Sequence, residues 1–299
     1  MIAQGVGPEG LWGLWGGDPL VLTGLILAAW CHARGVTNLW ERVGAGRVVR
    51  RWQVWSWAAG LMALFVALAS PLEALAATLF SAHMAQHVLL TLVAAPLLAA
   101  SAPVLPLLQG LPHGARRRAA RWHGRAHRLR GITRHAAWPF AATALYTGAT
   151  WLWHLPGPYE AALRSDLIHA VEHVTLLGAG VLLWWAVFET GRHSTFGYGT
   201  GIAVVFLASL GHGGLGALLT FSPQVLYAHY HGTAAAWGTD ALTDQHLAGV
   251  IMWAPGKLVH GVAVVVLALA WLRAVEARAR QRAAAGRAGW GGDPRPAAG

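Results

Sequence analysis

Long apolar stretches alternate along the chain with short polar or basic connections. Seven stretches stand out, approximately Leu20–Ala33, Trp52–Ser70, Ala82–Ala102, Ala136–Leu155, Leu167–Phe188, Thr200–Leu219 and Leu247–Leu272. A helix rises about 1.5 Å per residue, so roughly 20 apolar residues cross a bilayer. The last six stretches meet that length, and the first is shorter. Asp18-Pro19 gives the first stretch an N-cap and a first-turn proline. No basic residue precedes Arg34 and no small-residue cleavage site is obvious, so this stretch is expected to be a retained helix and not a secretory leader. The expected fold is all-α, a polytopic bundle of seven transmembrane helices. A short extracytoplasmic N-terminus (1–19) precedes the transmembrane domain (20–272). A tail rich in Arg, Ala and Gly (273–299) is expected to extend the last helix briefly and then fray. No internal repeat is apparent.

Composition agrees with a bilayer-embedded chain. Of 299 residues, 56% are hydrophobic and 11% charged, whereas a soluble domain carries about 25% charged residues. A formal charge of +10 would suit nucleic acid, but the distribution of that charge excludes this reading. Of the 22 Lys and Arg, 20 fall on alternate connections: Arg34 to Arg51, Arg116 to Arg134, Arg192, and Arg273 to Arg295. The exceptions are Arg164 and Lys257. Basic connections stay on the cytoplasmic side, which puts the N-terminus outside and the C-terminus in the cytoplasm. The arginines then meet anionic lipid headgroups. Cys31 is the single cysteine, so neither an internal disulfide nor a thiolate cluster can form within the chain.

With sides assigned, the sixteen histidines divide. His32, His113, His123, His127, His135 and His193 fall near cytoplasmic connections and read as solvated or headgroup-level side chains. His83, His87, His154, His169, His173, His212, His229, His231 and His246 fall toward the outer side, and His260 lies deeper. Two HxxxH pairs, His83/His87 and His169/His173, each open a helix at that outer end. Residues four apart share a helix face, so both imidazoles of a pair can reach one ion. His154 closes the fourth stretch at the same end, His212 lies below the end of the sixth, and Asp244 with His246 opens the seventh. A lone interfacial His is ordinary, but five helices bringing ligand-type groups to one layer point to a shared polar or metal site. Imidazole suits copper, zinc, iron and nickel, and thioethers such as Met84 and Met252 favour Cu(I). Haem would need only two axial histidines on facing helices.

Three blocks carry a family resemblance. They are "SPLEALAATLFSAHMAQHVLLTLVAAPLLAASAPVLPLL", "WHLPGPYEAALRSDLIHAVEHVTLLGAGVLLWW" and "YAHYHGTAAAWGTDALTDQHLAGVIMWAPG". In this order they resemble the caa3-type cytochrome c oxidase assembly factors, the CtaG-like membrane proteins, over roughly Ser70 to Gly256. The resemblance implies a seven-helix protein of the bacterial inner membrane that helps mature a haem–copper oxidase, acting on the copper centre of its main subunit. It implies that main subunit and a copper donor protein as partners, and copper as the bound metal. The matching motif positions are His83, Met84 and His87, then His154, His169 and His173, with Asp244 and Gln245 last. Among the outer residues, Met84, His154 and His212 are further candidate ligands. Gln245, His246, Glu172, Met252 and Lys257 are candidates for orienting ligands or passing the ion on. Glu73 reads as a helix cap or as an acceptor that orients a ligand, with the cap favoured.

Two other classes stay open. Seven-helix membrane hydrolases use His and Asp around zinc, although no serine or acid is distinctively placed for catalysis here, so no enzyme activity is expected. A haem-binding or copper-conducting protein is the other; a conduit would want ligands along a path, and only Lys257 and His260 lie lower. In "WAPGK", Pro255 and Gly256 predict a kink. Lys257 needs a partner there, either carbonyls freed at the kink or a gate beneath the metal layer.

Overall fold

The computed structural model describes residues 17–126, 137–190 and 197–290, with Gly10, Gly13 and Trp15 ahead of them. His127, His135, Arg128, Arg130, Arg134, Arg192, His193 and Arg295 lie outside the described residues. Among those described, the regular structure is helical throughout. The helices are α1 (Pro19–Val43), α2 (Arg51–Ala69), α3 (Pro71–Ala76), α4 (Phe80–Ala100), α5 (Val104–Gly110), α6 (His113–Ala126), α7 (Trp138–Trp153), α8 (Pro156–Arg164), α9 (Asp166–Thr190), α10 (Tyr198–Phe221) and α11 (Ala241–Trp290). Six of them (α1, α2, α4, α9, α10, α11) are long and apolar enough to cross a membrane.

Every expected apolar stretch is a helix, with three shifts of boundary. α1 runs 25 residues, well past Ala33. Its polar end is held by Asn38 Nδ2 donating to the Gln109 carbonyl (3.1 Å) and Trp40 Nε1 to the Val49 carbonyl (2.9 Å). α7 is only 16 residues, about 24 Å of helical rise, because Pro139 fixes its start and Pro156 its successor. α11 continues to Trp290, beyond the short extension expected after Leu272, and passes Pro255 without a break in the helix.

Local chemistry sets several boundaries. Asp18 Oδ1 accepts from Leu20 N at 2.7 Å to cap α1. Ser70 joins α2 to α3, donating to the Val66 carbonyl (2.6 Å) and accepting from Leu72 N (3.2 Å). Within α4, residues Leu89–Ala94 form a π-helical stretch. Pro96 is its cause: it cannot donate to Leu92 and its ring displaces that carbonyl, so the ladder widens just above it.

The glycines of the sixth stretch serve internal packing. A Cβ on Gly213 would meet Lys257 Nζ at 2.7 Å, and one on Gly216 would meet the Gly249 carbonyl and Trp253 at 3.0 Å. They let α10 and α11 cross closely, as small residues do between helices in lipid. The antiparallel run of α9, α10 and α11 gathers the starts of α4, α9 and α11 and the ends of α7 and α10 at one end of the bundle. The exposed arginines Arg34, Arg42, Arg47, Arg50, Arg273 and Arg278 lie at the other.

His32 departs from the solvated reading. It is 2% exposed and stacks on Trp57 with ring centres 4.8 Å apart, because α1 stays helical through this point and turns His32 onto α2.

Candidate metal centre

The two HxxxH pairs meet. His83 and His87 open α4, and His169 and His173 open α9, each pair beginning three residues after its helix starts. Ring centres lie 5.3 Å apart for His83–His169, 5.6 Å for His87–His173 and 4.1 Å for His169–His173. The Nε2 atoms of His83 and His87 face one another at 3.0 Å.

Glu172 sits inside this ring of imidazoles. It is fully buried, with one carboxylate oxygen 3.5 Å from His87 Nε2 and the other 3.8 Å from His83 Nε2. One atom each from His83, His169, Glu172 and His173 lies within 4.8 Å of the others, a grouping able to hold a metal ion. Buried polar atoms are nearly always hydrogen-bonded. Here His83 Nδ1, His87 Nδ1, His169 Nε2, His173 Nε2 and both Glu172 oxygens have no hydrogen-bond partner among the described residues. Glu172 and one nitrogen each of His83, His169 and His173 fit a cation held among them, while the Nδ1 atoms of His83 and His87 lie on the far edges of rings that turn Nε2 to Glu172.

His154 and Met84 border the ring. His154 Nδ1–H donates to the Thr150 carbonyl at 2.6 Å, so its neutral ring leaves Nε2 unprotonated. That nitrogen lies 3.2 Å from Met84 Sδ, and the His154 ring is 5.3 Å from His87. A lone pair facing a thioether is two soft donors side by side, not a hydrogen bond.

Carboxylate and amide chemistry flank the ring. Ser70, not Glu73, caps α3; the Glu73 carboxylate instead accepts from Gln86 Nε2 and lies 3.7 Å from His169 Nδ1. Burial pushes the Glu73 carboxyl up to about 7; the Gln86 hydrogen bond opposes this, and Asp166 and Asp18 add to it. Gln86 also donates to the Ala67 carbonyl (2.7 Å), tying α4 to α2.

A tyrosine roof covers the ring. The Tyr159 ring of α8 lies tilted against His83 with ring centres 5.0 Å apart, and its hydroxyl meets that of Tyr230 at 2.9 Å. Tyr230 donates to the Ala76 carbonyl (3.1 Å) and Tyr227 to the His154 carbonyl (2.7 Å). Burial pushes all three phenols well above their ordinary range, so they stay protonated donors. Phe80 fills the space among them.

The remaining candidates serve other ends. Asp244 reaches from α11 to cap α4, accepting from Phe80 N (2.6 Å) and Ser81 N (3.3 Å). Gln245 accepts from Leu226 N and donates to the Gln224 carbonyl, and His246 hydrogen-bonds the Ser222 carbonyl. These three clamp the outer loop. Met252 is buried in the same core cluster as Met84. Lys257 Nζ donates to Ser209 O (3.2 Å) and Oγ (3.3 Å), so its partner is the neighbouring helix and not the carbonyls at Pro255. His212 lies apart from the ring, its Nδ1 3.2 Å from the Tyr146 hydroxyl and its ring 6.1 Å from His260.

The sequence places Glu172 beside the ligands and not among them, and it leaves the tyrosine roof unread. Glu172 carries a signal there, an acid enclosed by an HxxxH pair. The tyrosine roof carries none, since Tyr159 and Tyr230 meet only through the fold.

A multi-pass helical membrane protein with a buried His/Glu cluster at one end of its bundle is the class defined by these observations. The family described as cytochrome c oxidase caa3 assembly factor matches residues 30–274, and the chain belongs to it. It is similar to uncharacterised proteins of Mycobacterium bovis and Mycobacterium tuberculosis, each 26% identical over 87% of this chain and 40% of the relative. A third, from Mycobacterium leprae, is 24% identical over 86% of this chain and 38% of the relative. The chain thus spans about two fifths of the length of these curated relatives. No solved structure matches it.

Proposed function

We propose that this protein aids assembly of a caa3-type haem–copper oxidase by holding copper at the outer end of its bundle. His83, His87, His169, His173 and Glu172 would be the ligand set, with His154 and Met84 beside it as a softer landing point. The observation that carries this reading is a buried Glu172 with neither oxygen hydrogen-bonded, grouped with His83, His169 and His173 so that one ligand atom of each lies within 4.8 Å of the others. Imidazole and carboxylate accept copper and zinc alike; membership of an oxidase-assembly family favours copper. The partners would be the oxidase main subunit and a copper donor protein.

In this reading α7 is a seventh span between α4 and α9, with the N-terminus outside and the C-terminus in the cytoplasm of a bacterial inner membrane. The basic residues at the far end of the bundle support that orientation. The metal layer then faces the oxidising side of the membrane, and the tyrosine roof separates it from the aqueous phase.

The deciding experiment is metal analysis of the full chain purified in detergent, with His83→Ala/His87→Ala beside it. Stoichiometric copper that falls in the double variant, with the dependent oxidase accumulating haem but deficient in copper, is the expected result. Bound zinc with hydrolytic activity, a haem absorption band, or a double variant that keeps its copper and matures active oxidase would each overturn it.

A further inference from the structure

Below the metal layer lies a second pair of histidines that neither the family nor the outer site explains. His212 of α10 is 3% exposed and His260 of α11 is 1% exposed, with ring centres 6.1 Å apart. His212 is about 14 Å below Phe221, the end of its helix, at a rise of ~1.5 Å per residue. That is near the middle of a hydrocarbon core about 30 Å thick. Both Nε2 atoms are buried and have no hydrogen-bond partner among the described residues, with the Met252 carbonyl beside His212.

His260 Nδ1–H donates to the Gly256 carbonyl at 2.7 Å, so its Nε2 is a bare lone pair. Thr91 Oγ1 donates to the His87 carbonyl at 2.7 Å, and Tyr146 lies beside Thr91. The Tyr146 hydroxyl meets His212 Nδ1 at 3.2 Å, and either atom can supply that proton. With Nδ1 as the donor His212 Nε2 offers a lone pair as well, and an ion at Nε2 selects that tautomer.

Two bare nitrogens in hydrocarbon are costly when empty. Imidazole nitrogens about 2 Å from a shared ion put ring centres about 6 Å apart when that ion lies between them. The surroundings limit its charge. Lys257, one turn before His260, acts on both rings, and no carboxylate among the described residues accompanies the pair as Glu172 does the outer ring. A divalent ion would be poorly compensated, whereas a monovalent soft ion needs two neutral nitrogens only. Gly256 makes the space: a Cβ there would stand 2.7 Å from His212 Cδ2. Trp184 stacks on His260 at 5.9 Å and closes the far side.

We infer that His212 and His260 form a second, mid-membrane site for a monovalent soft metal ion of the Cu(I) class, held between their Nε2 atoms. This goes beyond the outer layer and does not depend on that layer binding copper. The Thr91–Tyr146 chain connects the two sites through the backbone of His87.

The test loads the full chain in detergent with Cu(I) under anaerobic conditions, removes loose metal with a chelator, and counts ions per chain. Two ions are expected for the unmodified protein, and one each for His212→Ala/His260→Ala and for His83→Ala/His87→Ala. Gly256→Ala, which crowds His212 alone, should also lose one. Retention of the outer ion in the inner variants certifies that they are folded. X-ray absorption on Cu(I)-loaded His83→Ala/His87→Ala should show two nitrogen neighbours and no sulfur. An ion count that does not fall in His212→Ala/His260→Ala overturns the inner site. Two ions kept in His83→Ala/His87→Ala would instead overturn the outer one.

Discussion

Glu172 and His87 approach to 3.5 Å in a place where the Glu172 side chain is entirely shut off from solvent. An acid in that position, with neither oxygen hydrogen-bonded, has no stable ionised form without a cation. Replacing Glu172 with Gln keeps the shape and removes the charge. Copper affinity in the Gln variant should fall by at least about 10-fold, since losing even a group that only orients a ligand costs about 10- to 100-fold. Competition against a chelator of known strength measures it; unchanged affinity would make Glu172 a structural residue.

Asp244 presents a contrasting case, a buried acid whose oxygens both accept backbone hydrogen bonds. It caps α4 from α11, so it acts on stability. Asp244→Ala should cost about 1–2 kcal/mol, the range for a lost N-cap, and lower the unfolding temperature in detergent. Copper stoichiometry should persist in the variant below its unfolding temperature. Loss of metal without loss of stability would reassign the residue.

The tyrosine roof should govern exchange more than affinity. Tyr159→Ala removes the ring that packs against His83 and breaks the Tyr230 hydrogen bond, opening the layer from outside. Chelator-driven release of bound copper should quicken at least several-fold, while Tyr159→Phe, which keeps the ring, should release at nearly the original rate. Equal rates in all three would mean that metal enters and leaves by another route.

Orientation is accessible to labelling. A single cysteine placed at Arg118 in a Cys31-free chain should resist a membrane-impermeant reagent applied from outside the cell. A cysteine in the loop at 221–245 should react. Labelling of the Arg118 position would overturn the seven-span arrangement. A reporter fused after Arg282 should report the cytoplasm.

The long helices were legible in the sequence because their signal is local: apolar runs marked where they lie, prolines and Asp18 set several starts, and twenty arginines on alternate connections set an expected orientation. The two HxxxH pairs were legible for the same reason, since residues four apart share a face whatever surrounds the helix. Boundaries that depend on neighbours were not. α1 outruns its apolar stretch because Gln109 and Val49 hold its polar end. Glu73 gave up the capping role to Ser70 and turned to His169 and Gln86. Which histidines share a site was decided by packing alone. His154 joins the outer ring and His212 leaves it for His260, because helix rotation and depth come from how α7, α10 and α11 press together. Side-chain type and spacing along one helix are written in the chain; distances between helices exist only once the bundle has closed.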